Sequence, residues 1–198
     1  MFEIKDNSAP TLEEYRMMVG SISKAVSLVL AQEAFRLSNE MKNGLRAQKP
    51  GGKQIRPLSK MTILLRGFRG GSGPTHTKSL IDSASMVDSV QAKRKNKYHY
   101  TAGVHRNARS KDGKKLVNIA AIHEYGTKWY TVTVTPKMHR FSVALFLAGI
   151  LQAPWPIGKK LRRKIPARPW LRPAHEVWEK DADTRFTVAL AAALGVTP

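Results

Sequence analysis

Two dipeptides, His123-Glu124 and His175-Glu176, have the composition that opens a zinc-binding helix. Such a helix needs a second histidine four residues after the first, one turn along the same face. Those positions hold Thr127 and Glu179, so neither dipeptide completes the motif. His76, His99, His105 and His139 show no ligand spacing. The chain has no cysteine, which excludes disulfides, thiolate catalysis and cysteine-ligated zinc. Metal-dependent cleavage of DNA gathers several carboxylates around Mg²⁺. The middle of the chain offers only Asp82, Asp88, Asp112 and Glu124, and a nuclease would require the fold to bring Asp82, Asp88 and Glu124 together. The glycine-rich stretch 67–74 lacks a Gly directly before Lys-Ser or Lys-Thr; Lys78-Ser79 follows Thr77. It reads as a surface loop and not as a phosphate loop. No Gly-x-Ser-x-Gly setting supports a nucleophilic serine. The residues therefore assign no catalytic, metal or cofactor site, and the chain reads as a non-enzyme.

The charge is more informative. Over 198 residues the formal net charge is +20. Residues 1–48 hold six acids and six bases, 49–172 hold four acids and 26 bases, and 173–198 hold four acids and two bases. A basic block thus lies between two nearly neutral ends. Like charges repel in a compact state, so an excess of this size points to a polyanionic partner: nucleic acid, an acidic protein surface or a membrane face. Two runs concentrate it. One is Lys93, Arg94, Lys95 and Lys97, continuing to Arg106, Arg109, Lys111, Lys114 and Lys115. The other is Lys159, Lys160, Arg162, Arg163 and Lys164. Contacts of such residues with phosphates release condensed counterions.

The elements that must position these residues follow from periodicity. Pro10-Thr11-Leu12-Glu13-Glu14 has the form of a capping box, with Thr11 as cap. Tyr15, Val19, Ile22, Val26, Leu30, Ala34, Leu37, Met41 and Leu45 then recur every three or four residues. This spacing predicts one long amphipathic helix, ending by Lys49-Pro50-Gly51-Gly52, which packs on a sheet or meets a neighbouring subunit. Val87–Ala92 and the alternating Tyr98, Tyr100, Ala102 and Val104 read as two strands, with Lys93–Lys97 as the turn between them. Thr131–Thr135 and Leu161–Ile165 are further strands, Met138–Leu151 is a helix, and Leu171–Leu194 is a second long helix. The fold class is α+β: a small antiparallel sheet packed with a long N-terminal helix and a C-terminal helix, with long basic loops. A helical arm is expected over 1–50 and an α+β domain over 51–198. The 42% hydrophobic content suffices for a core. The N-terminus lacks the apolar run of a signal peptide, and Phe141–Leu151 is shorter than the roughly 20 residues of a membrane span. A soluble chain with no membrane contact is expected.

Three segments carry a family likeness. The first runs from Pro57-Leu58-Ser59-Lys60-Met61-Thr62 to Lys78-Ser79-Leu80-Ile81-Asp82-Ser83 and Asp88-Ser89-Val90. The second is Ile119-Ala120-Ala121-Ile122-His123-Glu124-Tyr125-Gly126-Thr127, and the third is Ile165-Pro166-Ala167-Arg168-Pro169-Trp170-Leu171. Together, and in this order, they resemble the virion-morphogenesis or tail-completion (neck) family of tailed phages, of the Mu-like type. In that pattern a small-residue helix runs into a His/Glu-aromatic-Gly turn, and an Ile-Pro-Ala-Arg-Pro-aromatic-Leu segment leads into the last helix. The chain departs from the simplest pattern in its long N-terminal helix and in an insert-like stretch, 129–164. Gly126 suits the positive φ that ends a helix. Pro166 and Pro169 hold an extended edge segment. Arg168 is placed to pair with Glu124, while Trp170 and Leu171 anchor the final helix on the sheet.

The resemblance implies a non-enzymatic structural protein of the virion, assembled in the host cytoplasm and acting in head–tail joining. Tail completion, tail termination and head closure all fit. The implied partners are other neck and tail proteins (connector, tail terminator or tail tube), further copies of the chain in a ring, and the genomic DNA that the ring would surround. A free-standing basic nucleic-acid-binding protein is the alternative, and a phage nuclease a further one.

Overall fold

The computed structural model describes residues 8–68, 77–79, 85–110 and 112–195. Helix α1 spans Ser8–Ala47. It begins before the expected cap, because Pro10 in a first turn gives up only an amide that has no helical partner. The helix ends where Gln48 takes φ 59° and the 3-10 turn Pro50–Gly52 begins. Its expected stripe divides. Met41 and Leu45 are buried, Val26, Leu30, Ala34 and Leu37 are half-buried, and Tyr15, Val19 and Ile22 are exposed. Ala25 and Val29, one position off that stripe, are buried instead. The shift follows from α1 being packed on more than one side, by a hairpin and by the C-terminal helices.

Helix α2 (Lys60–Phe68) was not legible as a helix, and it takes Gly67 and Phe68 out of the expected glycine-rich loop. The remainder of that loop, 69–74, lies outside the described residues, as do Leu80, Ile81, Asp82 and Ser83, together with His76 and Lys111. A short helix α3 (Ser85–Asp88) precedes strand β1 (Val90–Asn96), which pairs antiparallel with β2 (His99–Val104). The strand therefore starts at Val90 and not at Val87. Lys93, Arg94 and Lys95 lie within it, and the turn is Lys97-Tyr98. The register explains this: Val90, fully buried, stands opposite Val104, and Ala92 opposite Ala102. These apolar pairs commit β1 to the core, and the lysines are carried along it on the solvent side.

Helix α4 (Leu116–Tyr125) leads to β3 (Tyr130–Thr133), α5 (Pro136–Leu147) and β4 (Lys160–Arg163). Strand β3 stops short of Thr135, whose hydroxyl accepts from the Met138 amide at 3.3 Å and so caps α5. Helix α5 ends earlier than expected, at Leu147; just beyond it Gly149 takes φ 70° and its amide donates to Phe146 O. Among the described residues strand β4 pairs only with β3, which gives two separate two-stranded sheets and not one. The expected single C-terminal helix is two, α6 (Leu171–Lys180) and α7 (Ala182–Ala193), broken at Asp181. The break accompanies a cluster on α1. The Trp178 indole donates to Glu33 at 2.9 Å, and Arg185 donates both to Glu33 at 3.0 Å and to the Trp178 carbonyl at 2.8 Å. The architecture is α+β.

The chain divides into two compact units. The first comprises residues 1–120 and 169–198, the second 121–168. The core of the first joins Met41, Leu45, Ile55, Met86, Val87, Val90, Ala120, Trp170 and Ala174. The helical arm expected over 1–50 belongs to that core over its second half. The insert-like stretch 129–164 lies inside the second unit, where Val134, Ser142 and Leu145 are buried. Among the described residues no helix is long and apolar enough to cross a membrane.

Candidate nucleic-acid interface

The first basic run lies on the β1–β2 hairpin. Val90 and Ala92 project toward the core, so residues of odd number in β1 face outward. Lys93, Arg94, Lys95 and Lys97 are all exposed. A bulge between Arg94 and Asn96 frees Lys95 from regular pairing, and Arg94 Nε donates to the Asn96 carbonyl at 3.2 Å. Lys93 Nζ lies 3.3 Å from His105 Nε2. At the tip, the Tyr98 hydroxyl hydrogen-bonds Ser23 of α1, and Lys97 sits 5.5 Å over the Tyr98 ring. The Ser23 hydrogen bond, aided by the Lys97 charge, holds the Tyr98 phenol below its ordinary range. The hairpin tip is thereby tied to α1 while its cations face water. Arg106 and Arg109 are exposed beyond it, and Arg109 donates to the Gly113 carbonyl at 3.0 Å.

The second basic run lies on the β3–β4 ribbon. Lys160, Arg162 and Arg163 are in β4, and Lys159 and Lys164 flank it; all five are exposed. The ribbon holds two stacked cations, Arg162 over the Trp129 ring and Arg163 over the Trp155 ring, each at 5.4 Å. Trp129 and Trp155 had no assignment from sequence. Their partners are 33 and eight residues away, and no local spacing announces such a stack; the only signal was the Thr/Val alternation after Trp129.

The motif residues behave differently. Gly126, with φ 72°, closes α4 through its amide to Ile122 O at 2.8 Å. The Thr127 amide donates to Ile165 O at 3.0 Å, and the Ile165 amide donates to Thr127 Oγ1 at 2.9 Å. The Arg168 amide donates to His123 O at 2.6 Å. The second and third motifs thus clasp each other, with Pro166 in the strand-free segment between these bonds. Glu124 and Arg168 are both buried, and Tyr125 is exposed. Trp170, 1% exposed, and the half-buried Leu171 join the core of the first unit, Trp170 directly after Pro169.

The residues weighed for catalysis are placed as follows. Asp88 is exposed at the end of α3, Glu124 is buried in the second unit, and Asp82 is outside the described residues. His175 Nδ1 lies 3.5 Å from a Glu179 carboxylate oxygen, and both side chains are exposed. Lys78 Nζ donates to Arg46 O at the end of α1, and Ser79 is buried with its amide on Gln48 Oε1. Both serve packing. Among the described residues no group of three or more His, Asp or Glu is placed to hold a metal. Helices α1 and α7 leave an open groove of about 900 Å³ whose ionic residues include Glu33 and Arg185, already engaged with each other.

Comparison with family models, with curated proteins and with solved structures finds no match to this chain.

Proposed function

We propose that this protein is a structural virion component of a tailed phage, acting without turnover in head–tail joining at the neck, as a tail-completion type protein. The observation that carries this reading is the clasp between Thr127 and Ile165 and between Arg168 and His123. Residues that resemble one family's motifs, 38 or more positions apart in sequence, form one hydrogen-bonded unit here. Two further features support it. The first half of α1 exposes Leu12, Tyr15, Val19 and Ile22, an apolar stripe suited to a neighbouring subunit. The described cations of both basic runs face solvent, as contact with DNA or with acidic neck surfaces requires. In this reading several copies form a ring around the DNA path.

The test is electron microscopy of lysates in which the gene carries a stop codon. Filled heads and finished tails lying unjoined are expected. Normal joined virions would sink the reading. A free-standing nucleic-acid-binding protein is the second reading, favoured by the same exposed cations. It requires salt-sensitive retention on DNA by the purified chain together with normal virions in the stop-codon lysate.

A further inference from the structure

The register of the β3–β4 ribbon fixes which side chains share a face. Thr131 stands opposite Arg162, and Thr133 opposite Lys160. Residues two apart on a strand project to the same side, and cross-strand partners share it. Thr131, Thr133, Lys160 and Arg162 therefore form one face, and all four are exposed. Val132 pairs with Leu161 on the other face, and both are half-buried. The outward face consists of two hydroxyls, one ammonium and one guanidinium, with no aliphatic side chain.

Within residues 121–168 no exposed acid neutralises this face. Residues 121–168 contain nine Lys and Arg and one acid, Glu124, which is buried. The Arg162 guanidinium is held over Trp129, itself 60% exposed. A stacked guanidinium is pre-oriented and loses less freedom when it forms a fork of hydrogen bonds to phosphate.

We propose that the outward face of the β3–β4 ribbon is a contact surface for duplex DNA. Lys160 and Arg162 bind phosphates, Thr131 and Thr133 donate hydrogen bonds beside them, and Trp129 is a positioning residue for Arg162. A two-stranded ribbon is narrow enough to enter a major groove about 12 Å wide. Protein interfaces centre on apolar and aromatic anchors; the one aromatic ring beside this face, Trp129, lies before the strand and under the Arg162 guanidinium, so an acidic protein surface fits it less well. The inference rests on the polyanion component of the proposed function and not on placement at the neck.

The experiment is fluorescence anisotropy of the full chain with a short labelled duplex, titrated with salt. Lys160→Ala/Arg162→Ala is expected to weaken binding and to lower the slope of log K against log salt by about 1.8, at about 0.9 per phosphate contact. Trp129→Ala is expected to weaken binding about two- to fivefold with the slope unchanged, and Trp129→Phe to restore it. Lys160→Gln/Arg162→Gln repeats the test should the alanine pair fail to fold, as judged by circular dichroism. Unchanged affinity and slope in the ribbon variants, with binding lost in Lys93→Ala/Lys95→Ala, would overturn the ribbon proposal and leave the polyanion reading standing on the hairpin. No salt-sensitive binding by the wild type would overturn both. Tighter, ribbon-dependent binding to polyglutamate than to the duplex would reassign the face to an acidic protein.

Discussion

Thr127 and Ile165 exchange two hydrogen bonds, main chain to carbonyl at 3.0 Å in one direction and main chain to hydroxyl at 2.9 Å in the other. This reciprocal pair closes the loop that contains β3, α5 and β4, and so fixes the ends of the second unit. Gly126 sits directly before it. A Cβ there would lie 2.8 Å from the Ala167 amide and 2.9 Å from the Ile165 carbonyl, on a backbone with φ 72°. Gly126→Ala is expected to destabilise the chain by about 2–4 kcal/mol, since strain and a backbone clash act together. Urea unfolding checks this; a midpoint equal to wild type would show that the clasp yields freely.

Trp170 is the largest buried side chain of the first unit. Trp170→Ala is expected to cost about 3–5 kcal/mol, from lost transfer energy and the cavity left behind. Trp170→Phe should recover part of it, read from the same unfolding curves.

Glu33 accepts from Trp178 and Arg185 and is only 12% exposed at its side chain. Glu33→Ala leaves a mostly buried guanidinium without its carboxylate, at a cost of about 1–3 kcal/mol. The double variant Glu33→Ala/Arg185→Ala should lose less than the sum of the two single variants. Additive losses would mean that the two charges do not act as a pair.

Lys53 Nζ donates to Glu176 at 2.8 Å, and this hydrogen bond, with the lysine charge, holds the carboxyl below the ordinary glutamate range. A depressed carboxylate contributes stability that is present above its unfolded pKa and lost as pH falls through its folded one. NMR titration should place the Glu176 midpoint below that of a free glutamate, and Lys53→Met should return most of the difference. A midpoint unmoved by Lys53→Met would assign the shift elsewhere.

The exposed stripe of α1 is expected to carry subunit contacts. Leu12→Ser/Tyr15→Ser/Val19→Ser should reduce the mass measured by sedimentation without changing the helical signal. A wild-type chain that sediments as a monomer at all concentrations would remove this role from α1.

Much of this was legible in the sequence. The three-and-four spacing gave α1, and the Thr/Val alternation gave β3, because both patterns are local consequences of burial. The charge runs located both basic surfaces. What was not legible depended on distant partners. The start of β1 at Val90 is set by Val104, and the break at Asp181 accompanies the meeting of Trp178 and Arg185 on Glu33. The division of one expected sheet into two follows from pairing that no window of sequence contains. Likewise Trp129 and Arg162 meet only because β3 and β4 pair.

Helix α1 runs 14 residues from Thr11 to its first buried side chain, Ala25. At 1.5 Å per residue that is roughly 20 Å of helix, exposed throughout 11–22. The Debye length in physiological salt is about 8 Å. A neighbour that grips the outer end of this helix is held more than two screening lengths from the point where the helix enters its core. Strongly cationic chains can therefore be tethered together while much of their mutual repulsion is extinguished by the intervening salt.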